Sequence, residues 1–502
     1  MKLFCLFIAS VLCTYSGIGA DGKAPNILIL YADDMGYGDL GVQNANSKIP
    51  TPYLDTLATE SMRFTDGHSS SGICTPSRYA LLTGRYHWRE FHTIVQPFGG
   101  SVFTAEQVTL PEALQDKGYE TACIGKWHLG WDWDAIRKPE AGPVKRNDRG
   151  HKTDLQSSDY SWNESIPDGP LAHGFDYYFG DNVINFPPYA WIENDKLIVA
   201  PDTQMSTDGW KPLKEGNWEC RGGPMTTGWD PYEVLPEMTS RAVSYIENRK
   251  DEDDPFFLYF AFPSPHAPIV PAEKFEGMSQ AGPYGDFVVQ TDWSCGQILK
   301  ALEDAGMADD TIVIFTADNG SEHYAYPREE KYDHWSSEPF RGAKRDLYEG
   351  GHHVPFLVRW PGKIEAGSVS DALISQIDLM ATLEAAVAEG ATSSSRGDSV
   401  NMLPVWLGER ESVRSEIVHN THKEEYAIRQ GDWVLIDAPS GDYNSRRSGD
   451  FLEKRGYVSD DEFSVELYNL KDDLSQYTNL AQKYPEKLKS MKELLGKIRE
   501  ER

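Results

Sequence analysis

Three unbroken apolar runs constrain this chain more than any other feature. They are Asn26–Tyr31 (NILILY), Phe256–Phe262 (FFLYFAF) and Thr311–Thr316 (TIVIFT). A strand that is apolar on both faces must be covered on both faces, which is the condition of a strand inside a parallel sheet. Helical patterns separate these runs. Thr51–Met62 opens with Pro52 and sets Leu54, Leu57, Ala58 and Met62 on one face, and Thr109–Lys117 repeats the plan before Gly118. The residues from about Phe287 to Ala305 form another helical pattern. Tyr119–Ile124 and Val354–Trp360 read as further strands. Strands alternating with helices predict a large, mostly parallel α/β sheet sandwiched by helices.

The texture changes near Leu403. Ser415–His419, Tyr426–Arg429 and Trp433–Ile436 are short runs suited to a small antiparallel sheet, and Pro485–Arg499 is a charged terminal helix with one apolar face. The expected division is a signal peptide over 1–20, a large α/β domain over 21–402 and a smaller α+β domain over 403–502. The stretch from Trp133 to Glu237, rich in Trp, Asp, Gly and Pro, reads as ordered loops laid over the sheet edge.

The first residues have a basic Lys2, an apolar run from Leu3 to Cys13, and small residues around Gly17, Gly19 and Ala20. This is the pattern of a secretory signal, too short to span a bilayer, and it implies an exported chain without a membrane span. With 48 basic and 78 acidic side chains, the formal charge of −30 argues against non-specific binding to nucleic acid or to an anionic membrane. An anionic substrate then requires a locally basic pocket. Outside the signal four cysteines remain, Cys74, Cys123, Cys220 and Cys295, too few and too widely spaced for a disulfide scaffold or a zinc knuckle.

Ligands of open α/β sheets collect beyond the carboxyl ends of the strands. In this chain Asp33 and Asp34 follow NILILY, Lys126 and His128 follow Tyr119–Ile124, His266 follows FFLYFAF, and Asp318 and Asn319 follow TIVIFT. Asp33, Asp34, Asp318 and Asn319 offer only oxygen donors, which suit a hard divalent cation such as Ca2+ or Mg2+. Cys74, in GICTPSRYALLTGR, is placed at a helix start with Thr75 as N-cap, Pro76 as first helical residue and Gly84 as stop. Helix-end amides favour an anion there and are expected to lower the thiol pKa, with Arg78 one turn away. Trp131, Trp133, His87, Trp88, Arg89 and His92 are compatible with a sugar subsite and equally with core or rim packing.

Cys74-Thr75-Pro76-Ser77-Arg78 with Leu82-Thr83-Gly84-Arg85 resembles the signature of the type I sulfatases of the alkaline phosphatase superfamily. PNILILYADDMGYGDLG, GKWHLG, PSPHAP, TADNGSE, RGAKRDLYEGGHHVPFLVRWPG and ELYNLKDDLSQYTNLA are similar to that family in its usual order, from Pro25 to Ala481. The resemblance implies an alkaline-phosphatase-like fold and hydrolysis of sulfate monoesters, on a sulfated carbohydrate. It implies that a formylglycine-generating enzyme converts Cys74 to Cα-formylglycine, whose hydrated aldehyde is the nucleophile. By the same carry-over Asp33, Asp34, Asp318, Asn319 and residue 74 hold one Ca2+, and Arg78 and Lys126 stabilise the hydrated aldehyde. His128 is its base, and His266 and Lys344 meet the sulfate and the leaving oxygen. An arylsulfatase, a phosphonate or phosphodiester hydrolase on the same scaffold, and a sulfated-glycan-binding protein with unconverted Cys74 remain the alternatives.

Overall fold

The computed structural model describes residues 24–388, 396–421, 423–457 and 464–501. The expected signal peptide over 1–20 lies outside the described residues. Ten strands form the main sheet: β1 (Asn26–Asp33), β2 (Met62–Phe64), β3 (Glu120–Lys126), β4 (Tyr177–Asn182), β5 (Ile192–Glu193), β6 (Lys196–Leu197), β7 (Phe256–Pro265), β8 (Thr311–Ala317), β9 (Phe356–Arg359) and β10 (Val369–Ser370). Their order is β10-β2-β9-β8-β1-β7-β3-β4-β5-β6. The five central strands from β8 to β4 are parallel, and antiparallel strands extend both edges. At the centre, Ile27 pairs with Phe257 on one side and Ile312 on the other.

Alternation along β1 explains the two cores. Ile27, Ile29 and Tyr31 face α2 (Cys74–Thr83), α3 (Leu110–Gln115) and α6 (Leu379–Val387), meeting Leu81, Leu82, Leu114 and Leu383. Leu28, Leu30 and Ala32 face α1 (Pro52–Glu60), α4 (Val234–Asn248) and α5 (Gly282–Asp304), meeting Leu57, Met238 and Ile298. Side chains of successive strand residues point to opposite faces, so one uninterrupted apolar run supplies both layers. The large α/β fold with helices on both faces is the one expected from sequence.

Two details differ from the sequence reading. The run Val354–Trp360 does form a strand, β9, but it pairs antiparallel to β8. The segment 133–237 is more than a covering of loops. It contributes β4 as a fifth parallel strand and β5–β6 as an edge hairpin, since Tyr178 and Phe179 carry enough apolar surface to extend the sheet.

The small sheet is antiparallel, ordered β11 (Glu416–Asn420), β12 (Tyr426–Gln430), β13 (Trp433–Asp437) and β14 (Glu466–Asn469). One face packs Val418, Ile428, Leu435 and Leu467 with Met491 and Leu495 of α7 (Pro485–Glu500) and with Ala80 of α2. The other packs Val434 and Ile436 against Leu347 and Tyr348. Burial of the Met491 and Leu495 side chains stabilises this arrangement by about 1.5–3 kcal/mol each. The small sheet therefore braces two segments that carry site residues, α2 and the 344–348 turn. Among the described residues no helix is long and apolar enough to cross a membrane.

Candidate active site

Every strand-end group expected from sequence lies at the carboxyl edge of the central strands. Asp33 ends β1, Lys126 ends β3, His266 follows β7 and Asp318 follows β8. The chain bends sharply here: Asp34 and His128 adopt φ of 63° and 55°, a left-handed conformation that costs non-glycine residues on the order of 1–3 kcal/mol. Gly125, at φ 119°, allows β3 to approach β7; a Cβ there would lie 1.9 Å from the Ala261 carbonyl oxygen.

Cys74 opens α2, and its Sγ lies 3.6 Å from Asp33 Oδ1. Around that thiol, buried charges alternate in sign. Lys126 Nζ donates to Asp33 Oδ2 at 2.5 Å, and Lys344 Nζ lies 2.7 Å from Asp34 Oδ1. Arg78 donates to Asp318 Oδ2 from Nε at 3.0 Å and Nη2 at 2.7 Å, and from Nη1 to the Lys126 carbonyl at 3.0 Å. Asn319 Nδ2 donates to Asp34 Oδ1 at 2.7 Å. Donor atoms of Asp33, Asp34, Cys74 and His266 lie within 4.8 Å of one another. All ten residues expected to form the site are thus brought together.

The surroundings set the protonation states. Burial pushes the Asp33 carboxyl up to about 7, although Lys126 opposes the shift. Burial likewise raises Asp34 against the pull of Lys344. Burial also opposes ionisation of Asp318, but Arg78, Lys126 and Lys344 outweigh it and hold that carboxyl below its usual range. Burial disfavours the charge on Lys126 and Lys344, yet Asp33 and Asp34 reverse the balance and raise both. Both histidines are held well below their ordinary value by burial first, then by Lys126 for His128 and by Lys344 for His266.

Two sequence expectations for the Cys74 segment are corrected. The thiol pKa is not lowered: burial, reinforced by Asp318, pushes it up to about 12. A helix end offsets only part of the cost of a buried anion ringed by carboxylates. Thr75 is not the N-cap. The helix begins at Cys74 with Ile73 before it, and Thr75 Oγ1, which a cap would use as an acceptor, accepts instead from the Val95 N–H at 3.2 Å and donates to the carbonyl of His128, 2.8 Å away. That bond ties α2 to the β3 end and so fixes Cys74 relative to His128.

The hydrogen bonds assign the imidazole tautomers. His128 Nε2 donates to the Val95 carbonyl at 3.0 Å, which leaves a buried Nδ1 without a partner among the described residues. His266 Nδ1 donates to the Ala267 carbonyl at 2.5 Å, and its Nε2 lies 3.8 Å from Asp34 Oδ2.

A cavity of about 510 Å3 opens above the thiol. Its floor includes Cys74, His128, His266 and Lys344, and its walls include Arg149, His151, Asn185, Phe186 and Arg221. Sequence reasoning missed those wall residues, because loops distant in the chain supply them and no local pattern marks them. It also missed the Arg345–Glu322 ion pair beside Lys344; Glu322 stands two residues after the TADNG motif and was the legible half. Trp131 and Trp133 are buried in the core, His87 bonds Asn420, and Arg89 pairs with Asp398. None of those four lines this cavity, whereas His92 does.

An oxygen-binding cation fits this donor set. Asn319 Oδ1 is fully buried with no hydrogen-bond partner among the described residues, beside the carboxylates of Asp33, Asp34 and Asp318. Those three carboxylates balance Arg78, Lys126 and Lys344, so a divalent ion would leave the site positive, as an anionic ester requires.

The family model described as Sulfatase matches residues 25–387. The chain is 31% identical to the N-acetylgalactosamine-6-O-sulfatase of Bacteroides thetaiotaomicron, over 96% of this chain and 94% of that protein. It is 34% identical to the human N-acetylgalactosamine-6-sulfatase over 78% of this chain and 68% of that one. A solved structure from work on the metabolism of multiple glycosaminoglycans by Bacteroides thetaiotaomicron superposes with a TM-score of 0.78 at 30% identity, covering 95% of this chain and all of that one. With this fold, and with the charged groups of the expected signature gathered around one cysteine, the chain belongs to the sulfatase family of the alkaline phosphatase superfamily and is a sulfuric ester hydrolase.

Proposed function

We propose that the chain removes sulfate from a sulfated carbohydrate, with Cys74 converted to Cα-formylglycine and one Ca2+ held by Asp33, Asp34, Asp318, Asn319 and residue 74. The observation that carries this reading is the ring of buried, alternating charges around Cys74 at the floor of an open cavity. The converted residue would supply a hydrated aldehyde as nucleophile, and the ion would supply positive charge to a sulfate oxygen.

The remaining work falls to side chains of this chain. Arg78, Lys126 and Lys344 offset the charge of the ester, and such preorganised donors contribute several kcal/mol to the transition state. Arg78 and Lys126 also stabilise the hydrated aldehyde. His128 takes a proton at its unpartnered Nδ1, as general base. His266 Nε2 delivers a proton to the leaving oxygen. A bound anionic ester favours the protonated form of His266 and so opposes the effects of burial and Lys344.

The names of the relatives direct the substrate: the 6-O-sulfate of N-acetylgalactosamine is the first candidate. Export through residues 1–20, maturation by a formylglycine-generating enzyme, and division at 402/403 into a catalytic domain and a C-terminal subdomain belong to the same proposal. The test is sulfate release from 6-sulfated N-acetylgalactosamine, 4-nitrophenyl sulfate and a phenyl phosphonate by enzyme coexpressed with a maturation enzyme. Fastest turnover of the sugar is expected. Preference for the phosphonate or the aryl ester would favour those hydrolases, and affinity without turnover would favour a glycan-binding protein.

A further inference from the structure

A second cluster of titratable groups lies away from the cavity, where the small sheet meets the large one. His68 lies between β2 and α2, His352 ends the short helix Glu349–His352, and His419 stands on β11. All three are buried, at 0%, 1% and 2% exposure. One ring nitrogen of each lies within 4.8 Å of the other two.

Hydrogen bonds fix the far side of two of these rings. His68 Nε2 lies 2.8 Å from Asp66 Oδ1, and His352 Nε2 lies 3.3 Å from the Leu347 carbonyl oxygen. A carboxylate and a carbonyl only accept, so each Nε2 carries the proton and each neutral ring keeps its lone pair on Nδ1. Those two Nδ1 atoms face each other at 3.1 Å. Two lone pairs at that distance repel unless something electropositive joins them. A zinc ion with its nitrogens at about 2.0–2.1 Å in tetrahedral array separates them by roughly 3.3 Å, close to the spacing seen.

His419 supplies the independent observation. Both of its ring nitrogens are buried without a hydrogen-bond partner among the described residues, although the ring stacks on His352 at 3.5 Å. An unsatisfied buried imidazole is costly, and a metal ligand is what such a nitrogen can become. His353 is different, with Nδ1 on Glu349 and Nε2 on the Thr65 carbonyl. Among the described residues, Asp66 and Glu349 lie beside His68, and Arg429 is the guanidinium that reaches both carboxylates.

We propose that His68 Nδ1, His352 Nδ1 and a ring nitrogen of His419 bind one divalent transition-metal ion, zinc foremost, which clamps β11 of the small sheet to the large unit. Three imidazoles select such an ion over Ca2+, which prefers oxygen. Asp66 behind His68 provides the carboxylate support that orients zinc-bound imidazoles. Loading turns His419 out of its stack on His352 so that its lone pair meets the other two. Because the cluster is buried, the ion enters as the chain folds.

The test is metal analysis of full-length wild type, Cys74→Ala and His419→Gln, each folded with zinc and calcium present and freed of loose metal. Wild type and Cys74→Ala should each retain about one equivalent of zinc, with a nitrogen shell at about 2.0–2.1 Å in X-ray absorption. Cys74→Ala removes any thiolate-bound zinc from the count. His419→Gln should retain none, and its unfolding temperature should no longer respond to zinc. Zinc-free wild type would overturn the proposal, as would a sulfur or oxygen shell in Cys74→Ala, or zinc unchanged in His419→Gln. Should that variant fail to fold, the stoichiometry and shell of the other two proteins decide.

Discussion

Replacing Arg78 by methionine keeps most of the side-chain length and removes the guanidinium from a site where both it and Asp318 are fully buried. Asp318 then loses its two donated bonds and keeps the 3.2 Å bond from the Asp34 backbone N–H. Breaking a buried pair on one side costs about 3–5 kcal/mol, because the other charge stays buried and uncompensated. The lost bond to the Lys126 carbonyl adds about 1 kcal/mol. The expected destabilisation is about 4–6 kcal/mol. The assay is urea unfolding followed by tryptophan fluorescence, in chelator so that no ion takes over the pairing of Asp318. The double variant Arg78→Met/Asp318→Asn removes both charges, so it should be more stable than the sum of the single effects predicts, by about 2–3 kcal/mol. A single-variant loss below about 1 kcal/mol, or strict additivity in the cycle, would refute the claim that this pair is energetically coupled.

Four further outcomes follow from the same geometry. Peptide mass spectrometry of active enzyme should find an aldehyde at residue 74, and Cys74→Ala should fold but lose essentially all turnover; full activity with an unmodified thiol would contradict this. In unconverted protein the Cys74 thiol, held at about 12, leaves about one molecule in ten thousand as thiolate at pH 8. Its alkylation should therefore be slow at pH 8 and accelerate about tenfold per pH unit up to pH 10, whereas a rate independent of pH would count against the raised value. His266→Ala should cost about 100-fold in kcat on a sulfated sugar but under about tenfold on 4-nitrophenyl sulfate, whose leaving group needs no proton, and equal losses would reject the acid role. Asn319→Leu should weaken Ca2+ binding to the Cys74→Ala background by about 100-fold in calorimetry, since the orphaned Oδ1 is gone; unchanged affinity would remove Asn319 from the ligand set.

The amino-acid order alone determined which segments become central strands and which residues stand at their ends. NILILY, FFLYFAF and TIVIFT are apolar on both faces and have few other ways to escape water, and Asp33, His266 and Asp318 follow them by covalent adjacency. The candidate site was legible for that reason, and the helix stop at Gly84, with φ 64°, was equally local. What depended on distant partners was decided only by tertiary structure. The direction of β9 is set by its pairing with β8, not by its own residues. The capping role of Thr75 was lost to the Val95 N–H 20 residues away, and the pKa of Cys74 was reversed by burial among carboxylates from other strands. The cavity walls come from loops of the 133–237 segment whose composition marks no function. The meeting of His68, His352 and His419 joins positions more than 350 residues apart in sequence, from His68 to His419. Local pattern encodes periodicity and chain adjacency, while electrostatic environment and the convergence of side chains exist only once the chain has closed upon itself.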